Sequence, residues 1–385
     1  MTLADRLLAK PQRKLLAIDG GGIRGVMSLE VLLEIEKLLG KGDRDFRLSH
    51  YFDYIAGTST GGIIAAGLAV GMSVSQLLDF YEKAGAEMFD KARLLKRLTK
   101  YRFNSEPLAR KLQSALGAGT ELGSDKLETL LLLVLRNATT DSPWPISNNP
   151  FAKYNDRKLG CCNLDLPLWQ LVRASTAAPT YFPPEVIVIK DEEKDKEQEF
   201  VFVDGGVTMY NNPAFQMFLM ATIDRYWPRA TKQHRPWPTG VDRMLVVSIG
   251  TGTSPGAHDR LDPESMNLLF NATSIPSALM FAALNEQDFL CRVFGKCLAG
   301  DRLDSEVGDM IGSSGPLALD QKLFTYVRYN AELTRGGLDA LGCRAIRPES
   351  VQRLDAVEAI PDLRRVGRAI AERKVEAAHF DGFAA

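Results

Sequence analysis

One serine lies in a pattern that is typical of nucleophilic catalysis. Ser59 is the centre of the segment Gly57-Thr58-Ser59-Thr60-Gly61, which has the form G-x-S-x-G. An apolar, strand-like run precedes this segment, and a helix-like run of small residues follows it. In such a context the chain turns sharply, and the serine hydroxyl projects at the edge of a sheet near a helix N-terminus. The pattern predicts that Ser59 is a nucleophile on an elbow whose glycines avoid a clash.

A glycine-rich loop could bind negative charge. Gly20, Gly21 and Gly22 follow Asp19 at the end of another short apolar run, and Arg24 and Gly25 come next. Backbone N–H groups that are not screened by side chains can stabilise an oxyanion, and Arg24 would add positive charge. We therefore expect Gly20, Gly21, Gly22 and Arg24 to form an oxyanion hole.

The same loop admits a second interpretation, a nucleotide-binding module. Gly20, Gly22 and Gly25 have the spacing G-x-G-x-x-G, which would suit a dinucleotide pyrophosphate at a helix start. That fold also needs an acid at the end of the second strand, about 20 residues further on. Asp43 and Asp45 lie near that distance, but they stand in a polar turn. The nucleotide interpretation is therefore the weaker of the two.

Asp204 is the candidate base. It ends the apolar run Phe200–Val203 and is followed by Gly205 and Gly206, as expected for a carboxylate that a ligand approaches closely. An ordinary aspartate is a weak base, since its reference pKa is about 3.9. Burial in an apolar pocket would raise its basicity and would strengthen an oxyanion hole. A pair of Ser59 and Asp204 thus requires a largely dry site, which suits a lipid acyl chain.

A triad with histidine is the alternative source of a base. The chain order Ser…Asp…His allows His234, His258 or His379, and the fourth histidine is His50. None of them directly follows an apolar strand, so surface positions are expected for all four.

A second G-x-S-x-G segment lies at residues 252–256, with Ser254 at its centre. The residue after the serine of an elbow commonly donates its N–H to the oxyanion, but Pro255 has no N–H. Ser59 is therefore the better candidate.

Apolar strand-like runs alternate with helix-like segments through the first half of the chain, which predicts an α/β fold with a mainly parallel sheet covered by helices on both faces. The charged segment Asp191–Gln198 joins two strand candidates and predicts an exposed hairpin loop. From about Pro263 onward the pattern is mostly helical. One helix candidate, Asp362–Val375, has arginines beside an apolar stripe; core packing is expected, with contact to an anionic membrane as the alternative. The strand candidates are Leu15–Ile18, Phe52–Ala56, Leu130–Leu135, Val186–Ile189, Phe200–Val203 and Met244–Ile249.

Composition excludes several classes of protein. The 385 residues are 45% hydrophobic and 25% charged, as in ordinary globular proteins. The 47 basic and 48 acidic residues give a net charge of −1, so no electrostatic signal for nucleic acid is present. Five irregularly spaced cysteines argue against a disulfide framework and a zinc site. No apolar run approaches the roughly 18 residues of a membrane span, and no secretory signal begins the sequence, which favours a cytoplasmic location.

Three segments, taken in order, resemble the motifs of the patatin-like phospholipase family: Asp19-Gly-Gly-Gly-Ile-Arg-Gly25, Gly57-Thr-Ser-Thr-Gly61 and Asp204-Gly-Gly206. The segments Ala174–Phe182, Asn211–Pro213 and Ser248–Gly252 are similar to further stretches of that family. The resemblance covers about Leu15 to Gly252. It implies a patatin-like core at residues 14–252 and a three-layer α/β/α fold. The helical pattern beyond that core predicts a mostly helical extension at residues 253–385 packed on it.

The resemblance also implies a function. Ser59 would attack the ester carbonyl of a phospholipid or another glycerolipid, Asp204 would activate it, and neither a metal nor a cofactor would take part. Lipid degradation through an acyl-enzyme is the expected chemistry, with peripheral action at a membrane surface. The sequence does not specify the head group, the oligomeric state, or a regulatory ligand or partner.

Overall fold

A nine-stranded, mainly parallel sheet organises the part of the chain that the computed structural model describes, residues 3–8, 10–88, 105–158, 160–191, 196–254 and 268–383. The strands follow the order β5-β6-β3-β2-β1-β7-β9-β8, and β4 pairs with β3 outside this path. Only the pairs β3–β4, β3–β6 and β5–β6 are antiparallel. The strands are β1 (Arg13–Ile18), β2 (Tyr54–Thr58), β3 (Leu130–Asn137), β4 (Ser142–Ser147), β5 (Glu185–Asp191), β6 (Lys196–Asp204), β7 (Met244–Ile249), β8 (Gly295–Ala299) and β9 (Phe324–Tyr329).

Helices cover both faces of this sheet. The described helices are α1 (Leu3–Arg6), α2 (Gly25–Gly40), α3 (Leu48–Tyr51), α4 (Thr60–Ala69), α5 (Val74–Met88), α6 (Glu106–Leu116), α7 (Leu168–Ser175), α8 (Ala214–Thr222), α9 (Leu268–Phe294), α10 (Arg335–Ala340), α11 (Pro348–Gln352) and α12 (Ile360–Lys374). Helices α2, α4, α7 and α12 pack in one apolar cluster, whereas α8 and the C-terminal part of α9 pack in the other. The three-layer α/β/α prediction is confirmed.

The central strands are apolar on both sides because both faces of the sheet are buried. Along β1, Leu16 and Ile18 belong to the cluster under α2, while Leu15 and Ala17 belong to the cluster under α8. Strand β7 is buried at every position. This double coverage explains why these strands are continuous apolar runs rather than alternating patterns.

Residues beyond 252 complete the same sheet. Strand β9 pairs in parallel with β7, from Leu245 opposite Thr325 to Ile249 opposite Tyr329, and β8 forms the edge. The sequence did not predict β4, β8 or β9, since each is short and interrupted by polar residues or proline. Helix α12 places Leu363, Val366 and Ile370 in the core, which confirms the expectation of core packing for its apolar stripe.

Three further observations concern the hairpin, the lengths of the helices and possible metal ligands. Strands β5 and β6 form the predicted hairpin, but β5 continues to Asp191 and β6 begins at Lys196, so part of the predicted loop Asp191–Gln198 is strand. Residues 192–195 lie outside the described part of the chain. Among the described helices, none is long and apolar enough to cross a bilayer. The described acidic residues, cysteines and histidines contain no group of three or more arranged to hold a metal ion.

Candidate active site

The chain passes from β2 to α4 through one residue with a strained backbone. Ser59 has φ 55° and ψ −122°, a conformation that L-residues rarely adopt. A Cβ atom on Gly57 would overlap the backbone of Gly61, and one on Gly61 would overlap the backbone of Ile18. Only glycine fits at these two positions. The strand, sharp turn and helix predicted around Ser59 are therefore present.

Strand β3 aligns Ser59 with Asp204. Strand β2 pairs with β3 up to Thr58, which lies opposite Val134. Strand β6 arrives from the opposite direction and ends with Asp204 opposite Leu135, the next residue of β3. Because β4 occupies the other edge of β3 from residue 132 to 137, β2 and β6 share one edge. Their ends therefore meet, and the residue after β2 contacts the last residue of β6.

The two predicted reactive groups are hydrogen-bonded. The Ser59 hydroxyl donates to Asp204 Oδ2 at 2.6 Å. The other carboxylate oxygen, Oδ1, accepts the Gly206 N–H at 2.6 Å, and the Asp204 N–H donates to Ala177 O at 3.0 Å. A Cβ atom on Gly205 would overlap the backbone of β3. The Gly206 N–H thus fixes one carboxylate oxygen of Asp204, while the other oxygen faces Ser59.

Burial makes Asp204 more basic than an ordinary aspartate. The residue is 4% exposed. Desolvation raises its pKa from 3.8 to about 6, although the hydrogen bonds from Ser59 and Gly206 and the charge of Arg173 oppose the rise. Arg173 is itself fully buried on α7, where burial lowers its pKa. At neutral pH Asp204 remains mostly ionised, yet it binds a proton far more readily than a solvated carboxylate does.

The glycine loop lies beside Ser59. A Cβ atom built on Gly20 would be 3.2 Å from the Ser59 Cβ. The Gly20 N–H donates to Asn211 O at 3.1 Å, so that amide is engaged inside the protein. Within the described residues, the N–H groups of Gly21 and Gly22 donate to no protein acceptor. Of the predicted oxyanion donors, these two are the amides that are free.

The loop has a shape that requires glycine. Gly22 has φ +59°, and a Cβ atom there would overlap Leu354 O. Arg24 turns back along the loop, with its Nε 3.4 Å from Gly21 O. Burial lowers the pKa of Arg24 to about 10, with Asp19 opposing this shift, so Arg24 stays cationic at neutral pH. Its guanidinium therefore lies beside the Gly21 carbonyl on the glycine loop, and its part in an oxyanion hole stays a prediction.

The flanking residues of the motifs hold the elbow against its neighbours. The Thr58 hydroxyl donates to Tyr210 O at 2.8 Å, and the Thr60 hydroxyl is hydrogen-bonded to the Tyr81 hydroxyl. A Cβ atom on Gly25 would overlap the Thr60 side chain, so α2 and α4 approach closely at their N-termini. These contacts bring the glycine loop and the elbow into one rigid corner.

Three residues that hold the site were given no role by the sequence, although two lie in segments that it singled out. Ser175 accepts the Ser59 N–H at 2.9 Å and donates to Val134 O at 2.7 Å. Thr251 donates to Gly20 O at 2.7 Å. The third, Arg328, has no local motif and is discussed below. A hydroxyl that bonds distant backbone groups leaves no pattern in a single sequence.

The described histidines lie elsewhere. His50 is near the carboxylate of Glu128, at 3.7 Å, and His379 is hydrogen-bonded to the Tyr329 hydroxyl at 2.8 Å. His234 stacks on Phe151. His258 lies outside the described residues. None of the three described histidines is hydrogen-bonded to Ser59 or Asp204.

The second G-x-S-x-G segment is not an elbow at its start. Residues 250–253 run alongside residues 329–333, with the Thr253 N–H donating to Ala331 O at 2.8 Å. The Ser254 hydroxyl is buried and forms no hydrogen bond with the described part of the chain. Residues 255–267, which include Pro255, lie outside that part.

A family model and individual relatives indicate the same family for this chain. The model of the "Patatin-like phospholipase" family matches residues 16–218, more than half of the chain. A "cGAMP-activated phospholipase" of Vibrio cholerae is 31% identical over 220 residues, which are 54% of this chain and 57% of that protein. "Patatin-like protein 1" of Oryza sativa subsp. indica is 32% identical over 255 residues, 62% of this chain and 58% of that protein. The chain thus spans less than two thirds of the length of these relatives.

One solved structure aligns with most of the chain at low similarity. VipD from Legionella pneumophila shares 14% identity and covers 95% of this chain and 68% of its own, with a TM-score of 0.33.

Proposed function

The chain belongs to the patatin-like phospholipase family, and from that premise we propose that it is a serine acyl hydrolase of the phospholipase A or lysophospholipase type, cleaving fatty-acyl esters of glycerolipids. One observation carries the proposal: the hydroxyl of Ser59, on a strained elbow, donates a hydrogen bond of 2.6 Å to the buried carboxylate of Asp204. The amides of Gly21 and Gly22, which donate to no acceptor among the described residues, lie on the loop next to that serine. Nucleophile, base and oxyanion donors are the three parts that acyl transfer needs.

In the acylation step, Ser59 Oγ attacks the ester carbonyl carbon and its proton passes to Asp204 Oδ2. The carbonyl oxygen becomes an oxyanion, which the N–H groups of Gly21 and Gly22 and the charge of Arg24 stabilise. Collapse of the tetrahedral intermediate breaks the ester bond. The proton on Asp204 then goes to the leaving oxygen, which departs as a lysolipid or an alcohol.

In the deacylation step, water takes the place of the leaving group. Asp204 accepts a proton from that water, whose oxygen attacks the acyl-enzyme, and the same two amides bind the second oxyanion. Ser59 recovers its proton as the fatty acid leaves. The burial that raises the pKa of Asp204 to about 6 brings its basicity close to that of histidine. An aspartate can therefore act as the base without a histidine.

We propose further that the reaction takes place at a lipid surface. Exposed apolar side chains lie close to the catalytic aspartate: Val207 ends the 3-10 turn that begins at Gly205, and Met209 follows two residues later. Met280 of α9 lies over Gly206, and its neighbour Leu279 is 65% exposed. Apolar groups around a polar site are favoured where the substrate comes from a membrane or micelle.

Purified protein incubated with a mixed lipid extract tests the proposal, with products identified by mass spectrometry. We expect free fatty acid and lysolipid from the unaltered chain, and a loss of about 10³-fold or more from Ser59→Ala and Asp204→Ala. Ser254→Ala is the matched control, since it removes the serine of the other G-x-S-x-G segment and should retain activity. Retained hydrolysis in Ser59→Ala would refute the assignment.

Two further variants separate the alternatives. Replacing all four histidines should leave hydrolysis in place; its loss would favour a triad esterase instead. Nucleotide affinity that persists in Ser59→Ala and disappears in Gly22→Asp would favour a nucleotide-binding module.

A further inference from the structure

A chain of four buried charged residues runs from the glycine loop to the C-terminal third of the protein. Asp19 is fully buried and forms two hydrogen bonds with the guanidinium of Arg328, at 2.6 and 3.1 Å. Arg328 Nε lies 3.5 Å from Asp288 Oδ2. Asp288 in turn forms two hydrogen bonds with Arg292, at 2.7 and 2.9 Å. The charges alternate and sum to zero, and no side chain of the four is more than 8% exposed.

This arrangement is not the simplest way to stabilise a fold. Buried ion pairs are often no better than apolar residues of similar volume, because desolvation offsets their attraction. Here burial opposes the charge of Arg328, but Asp19 and Asp288 more than compensate and raise its pKa above the ordinary value. What a two-bond guanidinium–carboxylate pair supplies is orientation, because the two planar groups match in only a few geometries.

The group that Arg328 orients is the first residue of the glycine loop. Asp19 directly follows β1, and three glycines come after it. Such a stretch has great conformational freedom, so external contacts must fix it. Those contacts come from distant parts of the chain: Asn211 O accepts the Gly20 N–H, Thr251 donates to Gly20 O, and Leu354 O accepts the Ile23 N–H.

Arg328 links several of these supports. Besides Asp19, it donates to the Ser248 hydroxyl at 2.6 Å, and Ser248 donates to Asn212 Oδ1 at 3.3 Å. Asn212 adjoins Asn211, which holds Gly20. Tyr326, two residues before Arg328, donates to Asp288 at 2.9 Å. The position of the loop is therefore tied to β9.

We infer that Arg328 is a positioning residue for the oxyanion-binding loop: through Asp19 it keeps the backbone amides of Gly21 and Gly22 in place beside the Ser59 hydroxyl. The inference rests on the proposed function in so far as these amides bind an oxyanion. Arg328 is 2% exposed, so we expect it to act on the rate through its bonds to Asp19 and Ser248 rather than by contact with substrate.

Arg328→Lys is the variant that tests this inference, with Arg292→Lys as its matched control. Both substitutions keep the charge and disrupt a buried two-bond pair in the same network, but only Arg328 contacts Asp19. With a soluble short-chain ester, Arg328→Lys should lower kcat by about 10- to 100-fold and leave KM within about twofold. Arg292→Lys should lower kcat by less than about threefold. Equal losses in the two variants would show a merely structural role.

Amide hydrogen exchange supplies a readout that needs no activity. Exchange in the peptide that spans residues 19–25 should be about tenfold faster in Arg328→Lys than in Arg292→Lys. If Arg328→Lys does not fold, Asp19→Asn replaces it, because Arg328 then keeps Asp288 as its partner; the expected direction is the same. Unchanged exchange overturns the inference, whereas an unaltered protein that releases no fatty acid refutes only the proposed function.

Discussion

The pH dependence of ester hydrolysis follows from the burial of Asp204 and gives a quantitative test of the proposed mechanism. The base must be ionised to accept the serine proton, so activity should fall as pH decreases through its pKa. With a pKa of about 6, roughly nine tenths of the carboxylate is ionised at about pH 7 and roughly one tenth at about pH 5. The expected loss in kcat/KM between these two pH values is therefore about tenfold. A solvated aspartate would lose almost nothing over the same interval.

The assay should use a soluble short-chain ester, so that changes in a lipid surface do not contribute. Initial rates between about pH 4.5 and about pH 8 give the profile, and return to neutral pH after each incubation shows that the protein has stayed folded. Histidine titrates in the same range, near about 6.5. The variant that lacks all four histidines is therefore the control, and it should keep the same acidic limb. A flat profile down to about pH 5, or a limb that disappears with the histidines, would refute the assignment of Asp204 as base.

Arg173 offers an internal check on that profile. Its buried charge favours the ionised form of Asp204, and its Nε and Nη1 have no hydrogen-bond partner among the described residues. Arg173→Met removes this charge with little loss of length. The acidic limb should then move to higher pH, whereas a shift to lower pH would contradict the electrostatic argument.

Three further predictions concern the energetics of the site. Asp204→Asn should raise the free energy of unfolding by about 2–3 kcal/mol at about pH 8, because the native state no longer holds a buried charge. In chemical denaturation this gain should shrink as pH falls from about 6 towards about 4. A loss of stability at high pH would show that burial is not what raises the pKa of Asp204. Gly57→Ala should lower the free energy of unfolding by about 3 kcal/mol or more, since the new Cβ atom would overlap the backbone of Gly61. Gly119→Ala is the control: nothing lies within 4 Å of the new Cβ atom, so the midpoint of chemical denaturation should change little. Equal effects in the two variants would mean that the elbow can relax around an alanine. Ser175→Ala should leave Ser59 and Asp204 in contact but remove the acceptor of the Ser59 N–H, so kcat in steady-state kinetics should fall by about tenfold. An unchanged kcat would show that the elbow keeps its conformation without this hydrogen bond.

Part of the fold could be predicted because local patterns and burial agree. Continuous apolar runs gave β1, β2, β3 and β7, and the helical spacing after Gly25 gave α2. The strands β8 and β9 escaped prediction because polar residues interrupt their apolar patterns, GKCLA in β8 and FTYVRY in β9. Strand β9 even carries the buried Arg328, and an arginine inside a strand indicates an exposed edge rather than a core position.

The sequence by itself determined the chemistry of the corners: a serine between two glycines, an aspartate at a strand end, and a run of glycines with bare amides. These are local properties, since they depend on residue type and on spacing within a few residues. Tertiary structure alone decided which of these groups meet and how they behave. The contact of Ser59 with Asp204 depends on two strands that share one edge of β3, and the basicity of Asp204 depends on burial by segments far along the chain. The engagement of the Gly20 amide by Asn211 depends in the same way on packing, which no single segment encodes.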